Sequence, residues 1–322
     1  RTGATGVLTR DVDNIKPTDV PDNSILVEKD TARRYWFDAS SIDTTQLLAY
    51  FKFDESSGNL INKASTVGSS HEIAGDGTNV GVTYDQTGII DKNYLYDGSN
   101  DYSEINTLQT STTAVGSMNI WWKAPSFNDS TLWSFGDTDA DEHLFLEMSP
   151  TNSWILAICK KAGTTQWSCR TNVISNLTST WHMMTITQNA TAPKLYVDGV
   201  EQTTNIVTTD QTAWIPDLTG LDNFLLAARR DDGDATARWC NVNLDEMSYW
   251  GRELSQSEIT SLYNSGNGLA LTPDTWIRGG TRGIFQVLNV FEYVTIATLG
   301  NATNFGDPTV SRSLCAGCNN DT

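Results

Sequence analysis

Carboxylates are the residues best suited to chemistry in this sequence, with 39 Asp and Glu against 21 Lys and Arg and a formal net charge of −18. Two carboxylates can hydrolyse a glycosidic bond when they lie about 5 to 10 Å apart, for example on one face of a strand. No Glu-x-Asp-x-x-Glu segment of that kind occurs. Asp245 and Glu246 are adjacent, and adjacent residues of a regular strand point to opposite faces. We therefore predict no catalytic residues and no enzymatic activity.

Other reactive side chains give weaker patterns. The sequence contains neither a Gly-x-Ser-x-Gly elbow nor a His-Glu-x-x-His segment. His182 opens an alternating strand segment, which favours a packed structural residue over a base or ligand. Cys315 and Cys318 form a lone CxxC, for which two ordinary small residues are a better interpretation than a zinc site. Cys159 and Cys169 flank a turn-like segment, so both a disulfide across a hairpin and two thiols remain open.

The charge balance restricts the partners. A net charge of −18 and an isoelectric point near 4.4 disfavour attraction to nucleic acid or to an anionic membrane. No apolar run approaches the roughly 20 residues needed to cross a bilayer. We therefore predict no nucleic-acid partner and no membrane insertion.

The elements that must position these side chains are short strands. Between residues 47 and 271 the sequence repeats short segments with alternating or β-branched and aromatic character, separated by Gly, Asn, Asp and Ser. Strands at that spacing, without helices between them, predict a β-sandwich or barrel. One helix is predicted at 256–264, where Ser255 is the N-cap and Glu258 completes a capping box.

Aromatic side chains are abundant, with 11 Trp, 10 Tyr and 10 Phe. Aromatic faces stack on sugar rings while polar groups bind the hydroxyls, so carbohydrate binding is the natural non-enzymatic role. Tryptophans beside polar or loop-like sequence are the candidates for sugar binding, with core packing as the alternative for each: Trp133, Trp154, Trp167, Trp214 and Trp239. Trp121 and Trp181 are predicted to lie in the core.

Seven segments in order carry a family resemblance. They are 48–58, 95–102, 181–185, 195–199, 244–250, 252–259 and 262–264. This series resembles the laminin-G-like, concanavalin A-like jelly roll. The resemblance implies an all-β fold of two stacked antiparallel sheets, with residues 44–272 as the sandwich domain and the short helix in a terminal connection. Some members of that superfamily are glycan hydrolases or lyases.

The same resemblance implies one structural calcium at the sandwich edge. Its ligands would come from Asn62, in the region after the first strand, and from Asp245. Relatives often carry Asp where this chain has Asn62, so the site loses one charge. The alternative is that Asp245 hydrogen-bonds to a loop backbone.

The two ends of the chain resemble segments of bacteriophage proteins. Residues 1–43 are predicted to form an extended arm, and its segment 21–38 is similar to a hairpin that precedes variable modules in phage structural proteins. Residues 273–322 resemble one β-rich repeat unit found in tail proteins of marine phages. We expect the chain to end within a repeat array and to be a fragment or trimmed product of a longer protein.

Together these features favour a non-enzymatic virion protein, in a head decoration, tail or fibre position at the virion surface. It would display a glycan-binding sandwich and have other virion proteins, further copies of itself and cell-surface glycans as partners. The alternatives are an extracellular lectin-like adhesion module of a cell and, less favoured, a glycan hydrolase or lyase.

Overall fold

The computed structural model describes residues 42–271, except 70, 73–74, 106–112, 127–128, 150–153, 175–176, 203, 231–232 and 234, and several terminal strands. It divides into two compact units. The larger unit is Ile42–Asp274, and the smaller one combines Arg1–Ser41 with Thr275–Thr322. In the described residues no helix is long and apolar enough to cross a membrane.

The described elements are almost all strands. In chain order they are β1 (Val7–Arg10), β2 (Ile25–Glu28), β3 (Arg34–Trp36), β4 (Leu47–Phe51), β5 (Thr78–Val80), β6 (Thr83–Thr87), β7 (Lys92–Asp97), β8 (Tyr102–Glu104), β9 (Val115–Lys123), β10 (Ser130–Gly136), β11 (His143–Met148), β12 (Ile155–Lys161), β13 (Thr164–Thr171), β14 (His182–Asn189), β15 (Pro193–Val197), β16 (Val200–Glu201), β17 (Thr204–Thr208), β18 (Asn223–Leu226), β19 (Asn241–Trp250), α1 (Gln256–Tyr263), β20 (Ile277–Arg278), β21 (Arg282–Val287) and β22 (Val290–Thr295).

The larger unit is a sandwich of two eight-stranded sheets. The front sheet has the order β17-β13-β12-β11-β10-β18-β8-β5, and the back sheet has the order β16-β15-β14-β9-β19-β7-β6, with β4 also paired to β19. Every pairing within these two sheets is antiparallel, so the predicted all-β, two-sheet jelly-roll class is confirmed.

Two hydrophobic cores lie in this unit. The main core fills the space between the sheets and includes Trp122, Trp133, Trp167 and Trp214. The second core contains Tyr50 and Trp121 of the back sheet together with Ile259 and Leu262 of α1, so the helix packs on the outer face of that sheet. The apolar residues of α1 lie three positions apart and therefore on one side of the helix.

Strand β19 carries an irregularity that decides the placement of two carboxylates. Its first residues pair with β7 and its last residues pair with β4, while β9 lies along its other edge. The register against β9 shifts between Asp245 and Ser248, and Glu246 has a left-handed φ of 47°. A bulge of this kind re-aims side chains relative to regular alternation.

In the smaller unit β1, β2, β3 and β20 form a four-stranded sheet, and β21 pairs with β22. Strands β2 and β3 are antiparallel neighbours, with Ile25 opposite Trp36, so the hairpin predicted within 21–38 is present. Strand β20 pairs with β3, which joins an N-terminal and a C-terminal segment in one sheet.

Candidate functional site

The outer faces of the two sheets differ. The back sheet is covered by the second core and by α1. On the front sheet the residues of β12 alternate between buried and half-buried along Ile155–Lys161. Ile155, Ala157 and Cys159 belong to the main core, so the half-buried Leu156 and Ile158 lie on the outer face. The front sheet therefore offers the accessible surface on which a ligand can lie.

A row of three side chains crosses this surface. The register places Glu147 of β11 opposite Leu156 of β12, and Leu156 opposite Arg170 of β13. All three are half-buried. The row therefore combines an acceptor, an apolar floor and a cationic donor.

Trp154 stands beside this row, at the start of β12. The guanidinium carbon of Arg170 lies 4.1 Å from the centroid of a Trp154 ring. Both side chains are half-buried, so the stack remains open to solvent on part of its surface. Stacking of this kind fixes the indole and the guanidinium in one geometry.

A second stack lies on the same face. The guanidinium carbon of Arg229 lies 4.4 Å from the ring centroid of Phe145, and one of its nitrogens is 3.6 Å from a carboxylate oxygen of Glu147. Phe145 is 3% exposed, so Arg229 covers it. We define the front patch as the following side chains: Phe145, Glu147, Trp154, Leu156, Arg170 and Arg229.

Three of the five predicted sugar-binding tryptophans are corrected by their burial. Trp133, Trp167 and Trp214 are at most 1% exposed and belong to the main core. The Trp167 indole N–H donates to the Ala213 carbonyl at 2.7 Å, and its ring stacks on Trp214. Since a sugar ring needs an open aromatic face, these three residues act in packing, which was the alternative for each.

Trp154 and Trp239 are half-buried and keep part of their rings accessible. The indole N–H of Trp239 is enclosed and has no hydrogen-bond partner among the described residues. Of the two, Trp154 belongs to the front patch. Glu147 and Arg170 were not predicted as site residues, because their alignment depends on the β11–β12 pairing and on the β12–β13 pairing, which contains a register shift between Cys159 and Lys160.

The bulge in β19 brings two carboxylates together. Asp245 is fully buried and accepts hydrogen bonds from the backbone N–H groups of Ile89 at 2.8 Å and Ile90 at 3.2 Å. Glu246 is 4% exposed and accepts a hydrogen bond from the Tyr50 hydroxyl. The expectation that these adjacent carboxylates point to opposite faces is therefore wrong, because the bulge interrupts the alternation.

Burial raises the pKa of both carboxyl groups. It is the main reason that the pKa of Asp245 rises to about 9, with the Glu246 charge adding to the rise. Burial also raises the pKa of Glu246 to about 8, although the Tyr50 hydroxyl and the Lys52 ammonium oppose the increase. Such values resemble those of catalytic acids, but neither carboxylate is exposed to a polymeric substrate.

These residues fit a hard cation better than they fit catalysis. Asp245 Oδ1 and Glu246 Oε1 are buried and have no hydrogen-bond partner in the described part of the chain. A methyl group on Gly88 would lie 2.5 Å from Asp245 Oδ2, 2.5 Å from the Lys92 carbonyl and 2.6 Å from the Ile90 carbonyl, so two carbonyl oxygens lie near the Asp245 carboxylate, whose Oδ1 is the oxygen without a partner. Carboxylate and carbonyl oxygens are the ligands that calcium prefers.

Asn62 has a different role from the one expected of a calcium ligand. Its side-chain oxygen accepts the N–H groups of Tyr50 at 2.9 Å and Ala64 at 3.0 Å. Donors that point at this oxygen occupy its lone pairs, so in this structure Asn62 holds the loop after β4. Among the described residues no three His, Cys, Asp or Glu side chains gather around one point, so a cation would depend on carbonyls as well.

The remaining reactive side chains have structural surroundings. His182 Nε2 lies 2.8 Å from the Thr180 hydroxyl, and Nδ1 lies 2.8 Å from Asp198, which also accepts the Met183 N–H. This network fixes the start of β14 to the turn after β15. Cys159 and Cys169 are both buried, and the register places Trp167, not Cys169, opposite Cys159.

Comparison with known proteins identifies the sandwich. Residues 97–260, which are more than half of the chain, match the laminin-G family profile described as the concanavalin A-like lectin/glucanases superfamily. No curated protein matches the chain in sequence.

Solved structures resemble this chain at low sequence identity. The botulinum neurotoxin serotype D binding domain has a TM-score of 0.50 and 14% identity, over 70% of this chain and 52% of that chain. The sialidase CBM40 of Ruminococcus gnavus bound to α2,3-sialyllactose has a TM-score of 0.41 and 18% identity, over 46% of this chain and 82% of that chain. The chain thus spans about half the length of the neurotoxin domain that it matches.

Proposed function

Because the chain belongs to the concanavalin A-like lectin/glucanase superfamily, we propose that it is a non-enzymatic module that binds glycans through the front patch. The observation that carries this proposal is the half-buried Trp154, which is stacked on Arg170 at 4.1 Å on the accessible face of the front sheet. The back sheet presents the second core and α1 at the corresponding place.

The front patch suits a sugar in physical terms. A pyranose ring has an apolar face that packs on an indole or an aliphatic floor, which Trp154 and Leu156 supply. Its hydroxyls need directional partners, which Glu147 and Arg170 offer as acceptor and donor. Because the sheet and the cation stack hold these groups in place, binding requires little ordering of side chains.

A glycan array with the intact protein and the variant Trp154→Ala tests this proposal. We expect binding to fall by about 5- to 30-fold in the variant, since stacking of this type contributes about 1 to 2 kcal/mol. Trp181→Ala is the matched control, because Trp181 is also half-buried and stacked under a cation, Lys123 at 5.0 Å, but on the back sheet. Equal losses in both variants, or retained binding in Trp154→Ala, would contradict the front patch as the site.

A separate experiment tests the proposal that the protein does not cleave glycans. The carboxylates of Asp245 and Glu246 are buried, and Glu246 contacts Tyr50 of the second core, so a glycan has no access to them. We expect no release of reducing ends or unsaturated products from polysaccharides that the array identifies as ligands. Release that disappears in Glu246→Gln would favour the hydrolase or lyase alternative.

We also propose that Asp245 and Glu246 hold one structural calcium, with the Lys92 and Ile90 carbonyls as further ligands. A divalent cation would offset the cost of two neighbouring buried carboxylates and displace their protons. Millimolar calcium should raise the melting temperature of the protein, and Asp245→Asn or Glu246→Gln should abolish the increase. The control Glu201→Gln removes a carboxylate from the exposed strand β16, and calcium should still raise the melting temperature of this variant. An unchanged melting temperature in calcium would refute the site.

The biological setting that we propose is the virion surface, where the sandwich would be displayed in several copies. The support is the resemblance of segment 21–38 and of residues 273–322 to phage structural proteins. Imaging of the native particle at side-chain resolution would test the location, the partner proteins and the number of copies. Recovery of the protein from a cell surface, with no particle, would favour the alternative of an extracellular adhesion module.

A further inference from the structure

The cations on the outer face of the front sheet differ in their partners. Arg229 lies 3.6 Å from Glu147, and Arg230 lies 2.5 Å from Glu104. Lys160 pairs with Asp141. The Arg170 side chain makes no hydrogen bond or ion pair with any residue in the described part of the chain, and its guanidinium carbon lies over the Trp154 ring.

This arrangement leaves the donors of Arg170 available. A guanidinium carries five N–H groups that lie in its plane, and stacking on an aromatic ring occupies only its face. The edge of the plane therefore remains free for two parallel hydrogen bonds. A carboxylate matches this fork in both geometry and charge.

The neighbours of Arg170 indicate what the carboxylate would belong to. Leu156 lies between Arg170 and Glu147 in the row across β11, β12 and β13. Two strand spacings separate the backbones of Arg170 and Glu147, which is about 9 to 10 Å. That span accommodates one sugar ring over Leu156, with its hydroxyls toward Glu147 and an acidic group toward Arg170. Phosphate or sulfate alone would leave Leu156 and Trp154 without a function in binding.

The net charge of −18 does not prevent such a contact. At physiological ionic strength charges farther apart than about 8 Å are largely screened, so the bidentate contact with Arg170 outweighs the overall repulsion. Without an anionic ligand, the unpaired Arg170 would be the exception on a face where the neighbouring arginines have carboxylate partners.

We infer that the preferred ligand of the front patch is an acidic glycan, whose carboxylate binds Arg170 while its ring packs on Trp154 and Leu156. This inference rests on the proposed glycan-binding function and specifies its ligand class. It assigns Arg170 as the residue that selects acidic over neutral sugars.

The test is titration calorimetry with oligosaccharides that contain sialic, glucuronic, galacturonic or mannuronic acid, each compared with its carboxyl-reduced, neutral counterpart. The intact protein should bind at least one acidic oligosaccharide more tightly than its reduced form. Arg170→Gln should lose about 10- to 100-fold in affinity for that oligosaccharide, since hydrogen bonds to a charged group contribute about 1.5 to 3 kcal/mol. Its affinity for the reduced form should fall by clearly less, because a hydrogen bond to a neutral hydroxyl contributes less than one to a carboxylate.

Two further variants make the result interpretable. Arg170→Lys keeps the charge but loses the fork, so it should show an intermediate loss. Lys123→Gln removes the cation over Trp181 on the back sheet and should bind as the intact protein does. Melting temperatures of all variants within a few degrees of the intact protein would separate loss of contact from loss of fold.

Equal affinity of the intact protein for acidic and reduced oligosaccharides, with a loss in Trp154→Ala, would overturn the acidic ligand and leave the proposed function in place. An unchanged affinity of Arg170→Gln for the acidic ligand would also overturn the inference. Absence of binding to every acidic and neutral oligosaccharide would overturn the proposed function together with it.

Discussion

The Tyr50 hydroxyl is a single group on which the region around the buried carboxylates depends. It donates to Glu246 and accepts the Leu271 backbone N–H at 3.2 Å. It thereby links the bulge of β19 to the segment that follows α1. A buried acceptor that loses its donor pays for its desolvation without compensation, so the hydroxyl should be worth more than an average hydrogen bond.

Tyr50→Phe should therefore destabilise the protein by about 1 to 3 kcal/mol, because Glu246 and the Leu271 N–H both lose a partner. Urea unfolding monitored by tryptophan fluorescence measures this difference. Tyr263→Phe is the control, since Tyr263 is half-buried on α1 and its ring, not its hydroxyl, stacks on Trp121. If Tyr50→Phe lowers the free energy of unfolding no more than Tyr263→Phe does, the role of the Tyr50 hydroxyl would be contradicted.

Individual tryptophans show what the sequence alone can and cannot predict at this scale. Composition predicts many aromatic rings, but local polarity does not separate Trp154 from Trp167. The difference depends on strand parity: Trp154 lies one residue before the inward-facing Ile155, whereas Trp167 lies opposite the inward-facing Cys159. Parity is fixed only when the register and the bulge between Cys159 and Lys160 are known.

Helix α1 illustrates an element whose start is encoded locally. Ser255 accepts the Glu258 N–H, Glu258 in turn accepts the Ser255 N–H at 2.9 Å, and Arg252 donates to the same carboxylate. This capping box was predicted from the order of residues because both partners lie within one turn. Ser255→Ala should reduce stability by about 1 kcal/mol, measured by urea unfolding. Ser261→Ala, at a half-buried position inside the helix whose side chain does not cap the helix start, should change the stability much less.

The Glu258 carboxylate also predicts a pH dependence. Burial alone would raise the pKa of Glu258, but the Arg252 guanidinium and the Ser255 N–H hold it below its usual value. A depressed folded-state pKa adds stability above the unfolded value, near 4.3, and this stability is lost as the pH falls through the folded value. Glu258→Gln should therefore cost most at pH 7 and progressively less below about pH 4. A cost independent of pH in chemical unfolding would refute this.

Strand β19 is the opposite case, because its bulge could not be predicted from the sequence. Its residues read as a regular ten-residue strand, which led to the wrong placement of Asp245 and Glu246 on opposite faces. The bulge arises where β19 changes its neighbour from β7 to β4, and both of those strands come from distant parts of the chain. Only the assembled sheet determines it.

At the scale of the whole molecule, strand spacing was enough to predict the sandwich because each segment encodes its own alternation. The pairing of β20 with β3 was not predictable in this way, because it joins residues about 240 positions apart without a local signal. The acidic composition likewise limits the classes of partner but does not identify the site residues. Burial distinguishes Asp245 and Glu246 from the other carboxylates. Arg170 is distinguished by a side chain that has no hydrogen-bond or ion-pair partner in the described part of the chain.

The larger unit should fold without the rest of the chain. Every residue of both hydrophobic cores and of the front patch lies within Ile42–Asp274. A domain of this length buries enough apolar surface for independent stability. Residues 42–274 expressed alone should melt cooperatively, within a few degrees of the intact protein, retain near-ultraviolet circular dichroism, and bind the same glycans with the same affinity. A fragment that folds but has lost glycan binding would place part of the site in the smaller unit, and one without a cooperative transition would show that the two units fold only together.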